Sequence, residues 1–123
     1  ADDDTGLYPY TFNGENIVMR TSVAAVAADI LKGTAPATVS ARFHNTFAQM
    51  ICDKCVEISD KYGIHNVVIS GGVFQNKCLT EKVLELLAMR GLKSYAPVNV
   101  PANDSGISLG QAYYAHKDLN ITL

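Results

Sequence analysis

The residues best placed to do chemistry lie in the run Ser70-Gly71-Gly72-Val73-Phe74-Gln75-Asn76, which separates an apolar segment from a helical pattern. Because glycine lacks a Cβ atom, the backbone can turn sharply here and another group can approach it closely. A glycine turn that leads into a helix also presents backbone N–H groups that bind phosphate. The run therefore predicts either a nucleotide-binding loop or a tight turn that needs glycine for steric reasons alone, and a glycine pair does not decide between them.

Asp104 is the second candidate residue. It follows Asn103 directly before another helical pattern, a position where aspartate and asparagine commonly cap a helix by accepting hydrogen bonds from its first N–H groups. A carboxylate beside a nucleotide could instead bind a hard divalent cation. The residue types leave both interpretations open.

Cys52 and Cys55 form a CxxC pair in the middle of a long helical pattern that also contains His44. A zinc site would need two further ligands at suitable spacing, and a redox CxxC pair normally begins a helix after a strand. Both cysteines are therefore interpreted as ordinary helix residues. His44 could face a site or pack inside the fold, and the sequence does not decide. No catalytic residue is assigned, because no Ser/His/Asp set, Walker motif or acid–base carboxylate pair is evident.

The elements that must position these residues are predicted in the order ββααβαβα. Strands at 8–12 and 17–20 flank an Asn-Gly turn at 13–16, the strongest short hairpin signal. The first helix is predicted to begin at a Thr21 or Ser22 cap and to end at Gly33. Its expected apolar face consists of Val23, Val26, Ala27, Ile30 and Leu31. The second helix opens around Pro36 and runs to about Lys61.

The remaining pattern predicts an α/β fold. Residues 67–70 are apolar or small without alternation, which favours a strand covered on both faces, and a further strand is expected at 92–96. The helix between them implies parallel pairing, so with the hairpin on one side we expect a mixed sheet flanked by helices. The loops 70–76 and 97–104 should then meet at the same sheet edge.

Composition narrows the class of protein. With 123 residues, 48% hydrophobic and 18% charged, the chain has enough apolar surface for one modest core. A net charge of −2 argues against nucleic-acid binding. The sequence has no apolar run long enough to predict a membrane span and no leader pattern that predicts export. The odd number of cysteines favours a reducing, cytoplasmic location. Residues 1–7 are expected to be a disordered acidic leader. The start without methionine is expected to mark a fragment.

Two motifs make the chain resemble a known family. The run 70–76, read with Asn103-Asp104-Ser105-Gly106-Ile107-Ser108-Leu109-Gly110-Gln111, resembles the HypF-type carbamoyltransferases of NiFe-hydrogenase maturation. The likeness extends over 8–115 and includes Ala41-Arg42-Phe43-His44-Asn45-Thr46. It implies that 8–123 form the C-terminal lobe of a Kae1-like domain, which has an ASKHA (actin/Hsp70-like, ribonuclease H-like) nucleotide-binding fold.

The resemblance also implies a reaction. Family members use ATP to convert carbamoyl phosphate into carbamoyl adenylate, and they transfer the carbamoyl group to the C-terminal cysteine of the partner protein HypE. By this likeness, five residues would line the nucleotide site: Gly71, Gly72, Phe74, Gln75 and Asn76. Asp104 would match the family's metal-ligating aspartate, and Ser105 stands where a glycine is usual.

The likeness is partial. The family's other metal ligands and the domains that make carbamoyl adenylate lie outside this sequence, so the isolated chain is expected to be inactive. Its apolar cleft surface is expected to drive association, with a homodimer as one form. The alternatives are a lobe of an O-carbamoyltransferase or of a tRNA threonylcarbamoyltransferase, and an α/β interaction module without catalysis.

Overall fold

The computed structural model describes residues 4–118, and its strands and helices follow one another in the predicted order. These elements are β1 (Thr11–Asn13), β2 (Asn16–Val18), α1 (Arg20–Leu31), α2 (Pro36–Tyr62), β3 (Asn66–Val68), α3 (Lys77–Met89), β4 (Lys93–Tyr95) and α4 (Ile107–Asp118). Two short 3-10 helices, Gly72–Gln75 and Asp104–Gly106, were not predicted. They occupy the two loops in which the candidate residues lie.

The hairpin of β1 and β2 is confirmed, although it is shorter than predicted. Phe12 pairs with Ile17 and Asn13 with Asn16, so the two turn residues are Gly14 and Glu15 rather than Asn-Gly. Gly14 has a φ of +60°, which glycine adopts without a steric penalty. Residues 8–10 were expected in the first strand but precede it.

The start of α1 differs from the prediction. No side chain caps this helix at its N-terminus. The hydroxyls of Thr21 and Ser22 donate instead to the carbonyl oxygen of Pro9, at 3.0 and 2.7 Å. The predicted cap is therefore wrong, because these hydroxyls tie α1 to the segment before the hairpin.

The predicted apolar face of α1 is largely exposed. Val23 and Ile30 are each 62% exposed and Leu31 is 88% exposed, whereas the buried residue of this helix is Ser22. The helical period correctly identified the apolar side chains that share a face of α1. It did not show whether another element covers that face.

The long helix α2 begins and ends as predicted. Pro36 occupies its first turn, where a missing N–H costs nothing. Gly63 ends it in the left-handed region, with a φ of +68°, and its N–H donates to the carbonyl of Ser59 at 2.8 Å. Within the described part of the chain, no helix is both long and apolar enough to cross a membrane.

The core lies between α2 and α3. Its buried side chains come from both helices and from the segments that flank β3 and β4: Ala48, Cys52, Ile69, Leu79, Val83, Leu87 and Leu92. The α3 contribution recurs at 79, 83 and 87, the helical spacing that the sequence shows. This contact holds α3, and therefore the loop that precedes it, against α2.

Strands β3 and β4 are parallel, as predicted, with Val67 opposite Ser94. The N–H of Ile69 extends the pairing by donating to the carbonyl of Tyr95 at 2.8 Å. Val68, however, is 75% exposed, so the expectation of a strand covered on both faces is wrong. Only one face of this pair packs on the core of the described chain.

The α/β class is confirmed, but the strands do not form one mixed sheet within residues 4–118. The antiparallel pair β1–β2 and the parallel pair β3–β4 are two separate two-stranded sheets. The hairpin instead packs on α2, where the Lys54 ammonium lies 4.7 Å from the centre of the Phe12 ring.

Candidate functional site

The two loops predicted to meet are in direct contact. The N–H of Gly71 donates to the carbonyl of Ala102 at 2.6 Å. The hydroxyl of Ser70 points to the same oxygen at 3.4 Å. Because β3 and β4 are parallel, both loops leave the sheet at its carboxyl edge, where open α/β folds bind their ligands. The structure therefore joins the glycine run to the segment that leads to Asp104.

The backbone conformation demands glycine at only one of the two glycine positions of the run. Gly71 has a φ of +104°, which L side chains rarely adopt, so the turn itself accounts for it. Gly72 does not have a positive φ, and a Cβ atom on it would meet no other atom within 4 Å. The steric explanation thus covers Gly71 and leaves Gly72 unexplained by the described residues. The open side of Gly72 is space into which another group can fit.

The remaining predicted residues of the run lie in different environments. Phe74 packs partly buried against the core, so it supports the loop from within rather than presenting its ring. Gln75 is exposed. Asn76 caps α3, since its Oδ1 accepts the N–H of Leu79 at 3.1 Å. This capping role was not predicted.

Asp104 begins the 3-10 helix before α4, and the capping role belongs to its neighbour. The Oδ1 of Asn103 accepts the N–H of Ser105 at 3.1 Å. The exposed carboxylate of Asp104 has no hydrogen-bond or ion-pair partner among residues 4–118. The cap interpretation of Asp104 is therefore not realised, and its oxygens remain available to a ligand. Gly106 packs closely on the preceding loop, because a Cβ there would lie 3.1 Å from the carbonyl oxygen of Pro101.

The described residues do not form a complete metal site. Among residues 4–118, no group of three or more His, Cys, Asp or Glu side chains is placed to hold an ion. Asp104 fits as one oxygen ligand of a hard cation, but a lone carboxylate does not bind one firmly.

The CxxC cysteines lie inside the helix pair. Cys52 is fully buried in the core and Cys55 packs against it, whereas Cys78 is exposed in the first turn of α3. Burial raises the pKa of the Cys52 and Cys55 thiols, which disfavours the reactive thiolate. Their environment is that of small core residues.

His44 is the site residue that the sequence left undecided. Its Nε2 lies 2.9 Å from Nδ2 of Asn76, and its Nδ1 lies 2.8 Å from the carbonyl oxygen of Ser40. The histidine therefore connects the middle of α2 to the last residue of the glycine run. The signal that could have shown this is the group of polar residues Arg42, His44, Asn45 and Thr46 in the first half of α2.

The other polar residues of that run hold the N-terminal segment. Arg42 forms ion pairs with Asp4 at 3.0 Å and Asp29 at 2.9 Å. Asn45 donates to the carbonyl of Asp4 at 2.8 Å, and the hydroxyl of Thr46 accepts the N–H of Tyr8 at 2.8 Å. Residues 4–7, which were predicted to be disordered, are thus held on α2. Residues 1–3 of that predicted leader lie outside the described residues.

These contacts perturb the two carboxyl groups. Hydrogen bonds from the Arg42 side chain and the Gly6 N–H hold the pKa of Asp4 below its ordinary value. The Tyr8 hydroxyl and then Arg42 lower the pKa of Asp29 in the same way. The Tyr8 phenol has a raised pKa, because burial and its bond to Asp29 disfavour its ionised form. The cluster is fully paired at neutral pH, so it is an anchor rather than a reactive centre.

Comparison with known proteins gives a consistent picture. The family model described as "Carbamoyltransferase, Kae1-like Domain, second subdomain" matches residues 1–111. The crystal structure of full-length HypF in the phosphate- and nucleotide-bound form is similar to this chain, with a TM-score of 0.87 and 35% identity. That match covers 98% of this chain and 16% of the HypF chain.

Curated relatives agree with the structural comparison. A "Carbamoyltransferase HypF homolog" from Cupriavidus necator is 34% identical over 76 residues, which are 62% of this chain and 19% of the relative. A tRNA N6-adenosine threonylcarbamoyltransferase from Prochlorococcus marinus is 24% identical over 109 residues, 87% of this chain and 30% of the relative. The chain thus spans less than a third of the length of each relative.

Proposed function

This chain belongs to the HypF carbamoyltransferase family, as the second subdomain of its Kae1-like domain, and we propose that it forms a nucleotide-contacting lobe of such an enzyme. Its fold is accordingly one lobe of an ASKHA-type (actin/Hsp70-like) domain. In this proposal the loop 70–76 contacts the nucleotide, and the chain orients it for chemistry that needs the rest of a full-length enzyme.

The observation that carries the proposal is the contact between the two loops at the carboxyl edge of β3 and β4, with Gly72 exposed beside it. The Gly71 N–H to Ala102 bond brings the glycine run next to the segment of Asp104, while Gly72 keeps free space that the fold does not use. Backbone N–H groups before a helix hold phosphate oxygens well, because the helix dipole adds to their hydrogen bonds. The nucleotide bound in the similar HypF structure supports the same ligand class for this chain.

The reaction proposed for the whole enzyme follows the family. ATP and carbamoyl phosphate are the proposed substrates, carbamoyl adenylate the intermediate, and the C-terminal cysteine of HypE the acceptor. Asp104 is proposed as one ligand of a divalent cation whose remaining ligands lie elsewhere in a full-length protein. A cytoplasmic location is part of this proposal, and the isolated chain is not expected to turn over.

Nucleotide titration of the 123-residue chain tests the proposal. We expect ATP with Mg²⁺ to shift the NMR signals of 70–76 and 103–106, and we expect Gly72→Val to weaken binding at least tenfold by filling the open side. Gly110→Ala is the matched control, since a Cβ there also meets no atom within 4 Å but lies in α4. Equal affinity of Gly72→Val and the parent chain would refute the loop as the nucleotide contact.

The threonylcarbamoyltransferase likeness defines a second candidate. Its match covers more of this chain than the Cupriavidus necator match, at lower identity. Both candidates place a nucleotide on the loop 70–76, so the titration does not separate them. Complementation does: a full-length protein containing this chain should restore hydrogenase activity in a strain lacking HypF, and rescue only of a tRNA-modification defect would favour the second candidate.

A further inference from the structure

His44 is placed to control the loop proposed to contact the nucleotide, although it lies on a different element. We infer that His44 is the positioning residue of this loop: as a neutral imidazole protonated at Nδ1, it fixes the side chain of Asn76 and with it the start of α3. The inference rests on the proposed function for its effect on binding. The hydrogen-bond arrangement itself does not depend on that function.

The positions of the hydrogen atoms follow from the partners. The N–H of Leu79 can only donate, so the atom of Asn76 that faces it, at 3.1 Å, is the oxygen Oδ1. The amide nitrogen Nδ2 must then face His44, and Nδ2 can only donate. The Nε2 of His44 is therefore the acceptor and carries no proton.

The other ring nitrogen is determined in the same way. Nδ1 lies 2.8 Å from the carbonyl oxygen of Ser40, which can only accept. Nδ1 must therefore carry the ring proton. Because each partner has one possible role, the chain from Ser40 through His44 and Asn76 to Leu79 allows a single tautomer of a neutral ring.

Asn76 passes this constraint to both sides of the loop. Its N–H donates to the carbonyl of Val73 in the 3-10 helix at 3.1 Å, and its carbonyl accepts the N–H of Thr80 in α3 at 3.0 Å. The hydroxyl of Thr80 also donates to the carbonyl of Phe74 at 2.9 Å. A change in the direction of the Asn76 side chain therefore removes the cap of α3 at the residue whose backbone also ends the 3-10 helix.

Protonation of the second ring nitrogen of His44 breaks its hydrogen bond with Asn76. Both ring nitrogens then donate, so Nε2 and the amide of Asn76 face each other as two donors and the bond is lost. The titratable groups on the cleft wall that His44 shares are Asp4 from the N-terminal segment and Cys78, Lys82 and Glu85 from α3. The loop 70–76 itself contributes none. The link between His44 and Asn76 thus requires the neutral form of the ring.

Two substitutions separate positioning from mere packing. His44→Leu keeps side-chain volume but removes the acceptor, and we expect nucleotide affinity to fall roughly two- to tenfold, the range of one neutral hydrogen bond. His44→Gln can present an oxygen near the Nε2 position and should restore most of the affinity. His65→Asn is the control, because His65 contacts Ser59 at the far end of α2.

NMR of the chain without nucleotide gives the independent readout. We expect the His44 ring to show a proton on Nδ1, and we expect the side-chain amide signals of Asn76 to shift in His44→Leu and to keep their parent positions in His65→Asn. A proton on Nε2, or Asn76 signals that ignore His44, would overturn the inference. Unchanged affinity in a folded His44→Leu would overturn it too. If the parent chain binds no nucleotide but NMR shows the link between His44 and Asn76, the proposed function is refuted and the inference about the hydrogen bonds is not.

Discussion

At the scale of single residues, one short polar run in α2 serves two purposes. Successive helix residues are about 100° apart, so 42, 45 and 46 share one side of α2 while 44 lies on another. Arg42, Asn45 and Thr46 hold the N-terminal segment, and His44 reaches Asn76. The same run therefore anchors one part of the chain and positions the loop proposed to contact the nucleotide.

Asp104 carries the prediction at this scale. Its carboxylate has no partner among the described residues, so Asp104→Asn should leave stability within about 0.5 kcal/mol, as for other exposed substitutions. In a full-length enzyme containing this chain, the same change should remove most of the proposed carbamoyl transfer. Activity and thermal unfolding measured in parallel check both expectations.

Asp60→Asn is the matched control for that experiment, since Asp60 is an exposed aspartate on α2 far along the chain from the loops. It should change neither quantity. Carbamoyl transfer by Asp104→Asn at the parent rate would remove Asp104 from the proposed metal site.

At the scale of elements, the contact between α2 and α3 sets the position of the site. The cap of α3 by Asn76 and the link to His44 both depend on the two helices lying at this distance. The side chains between them are fully buried, so a loss of volume there leaves a cavity that neighbours fill only partly.

Leu87→Ala tests this interface. Leu87 is 0% exposed on α3, so we expect the free energy of unfolding to fall by about 2–5 kcal/mol. Leu31→Ala makes the same change at a side chain that is mostly exposed on α1, and should cost less than about 1 kcal/mol. Urea denaturation of both variants measures the difference. Similar losses in the two would contradict the assignment of the core to the α2–α3 contact.

At the scale of the whole molecule, apolar surface remains uncovered on several sides. Val68 on β3 and Leu31 on α1 are mostly exposed, and α4 exposes Tyr113 and Tyr114. Exposed apolar patches of this kind mark surfaces that associate with other protein. The chain spans 16% of the full-length HypF chain to which it is similar, so we expect the remainder of such a protein to cover these faces.

We predict that the isolated chain self-associates through these faces. Sedimentation velocity should show a concentration-dependent shift from monomer to dimer or larger species. Val68→Lys, which places a charge on the open face of β3–β4, should reduce this association, while Glu57→Lys, on the exposed side of α2, should not. A monomer at every concentration would show that the exposed faces are not adhesive.

Local sequence signals determined most of the elements and the location of the candidate site. Pro36 and Gly63 bound α2, the spacing of 79, 83 and 87 defines α3, and the glycine run lies between a parallel strand and a helix. These signals are reliable because they act within a few residues: ring closure of proline, the left-handed backbone of glycine, and the helical period. The meeting of the two loops followed from parallel strand order.

Which faces are covered and which polar atoms meet depends on how the elements pack together, and the sequence pattern does not contain this information. Periodicity identifies an apolar face but not its partner, so the exposed side of α1, the single covered face of β3 and the separation of the two sheets could not be foreseen. The same holds for the transfer of the cap from Asp104 to Asn103 and for the bond between His44 and Asn76. His44 and Asn76 are 32 positions apart in the sequence. A hydrogen bond between them exists only because the packing of α2 on α3 brings Nε2 of His44 and Nδ2 of Asn76 to 2.9 Å.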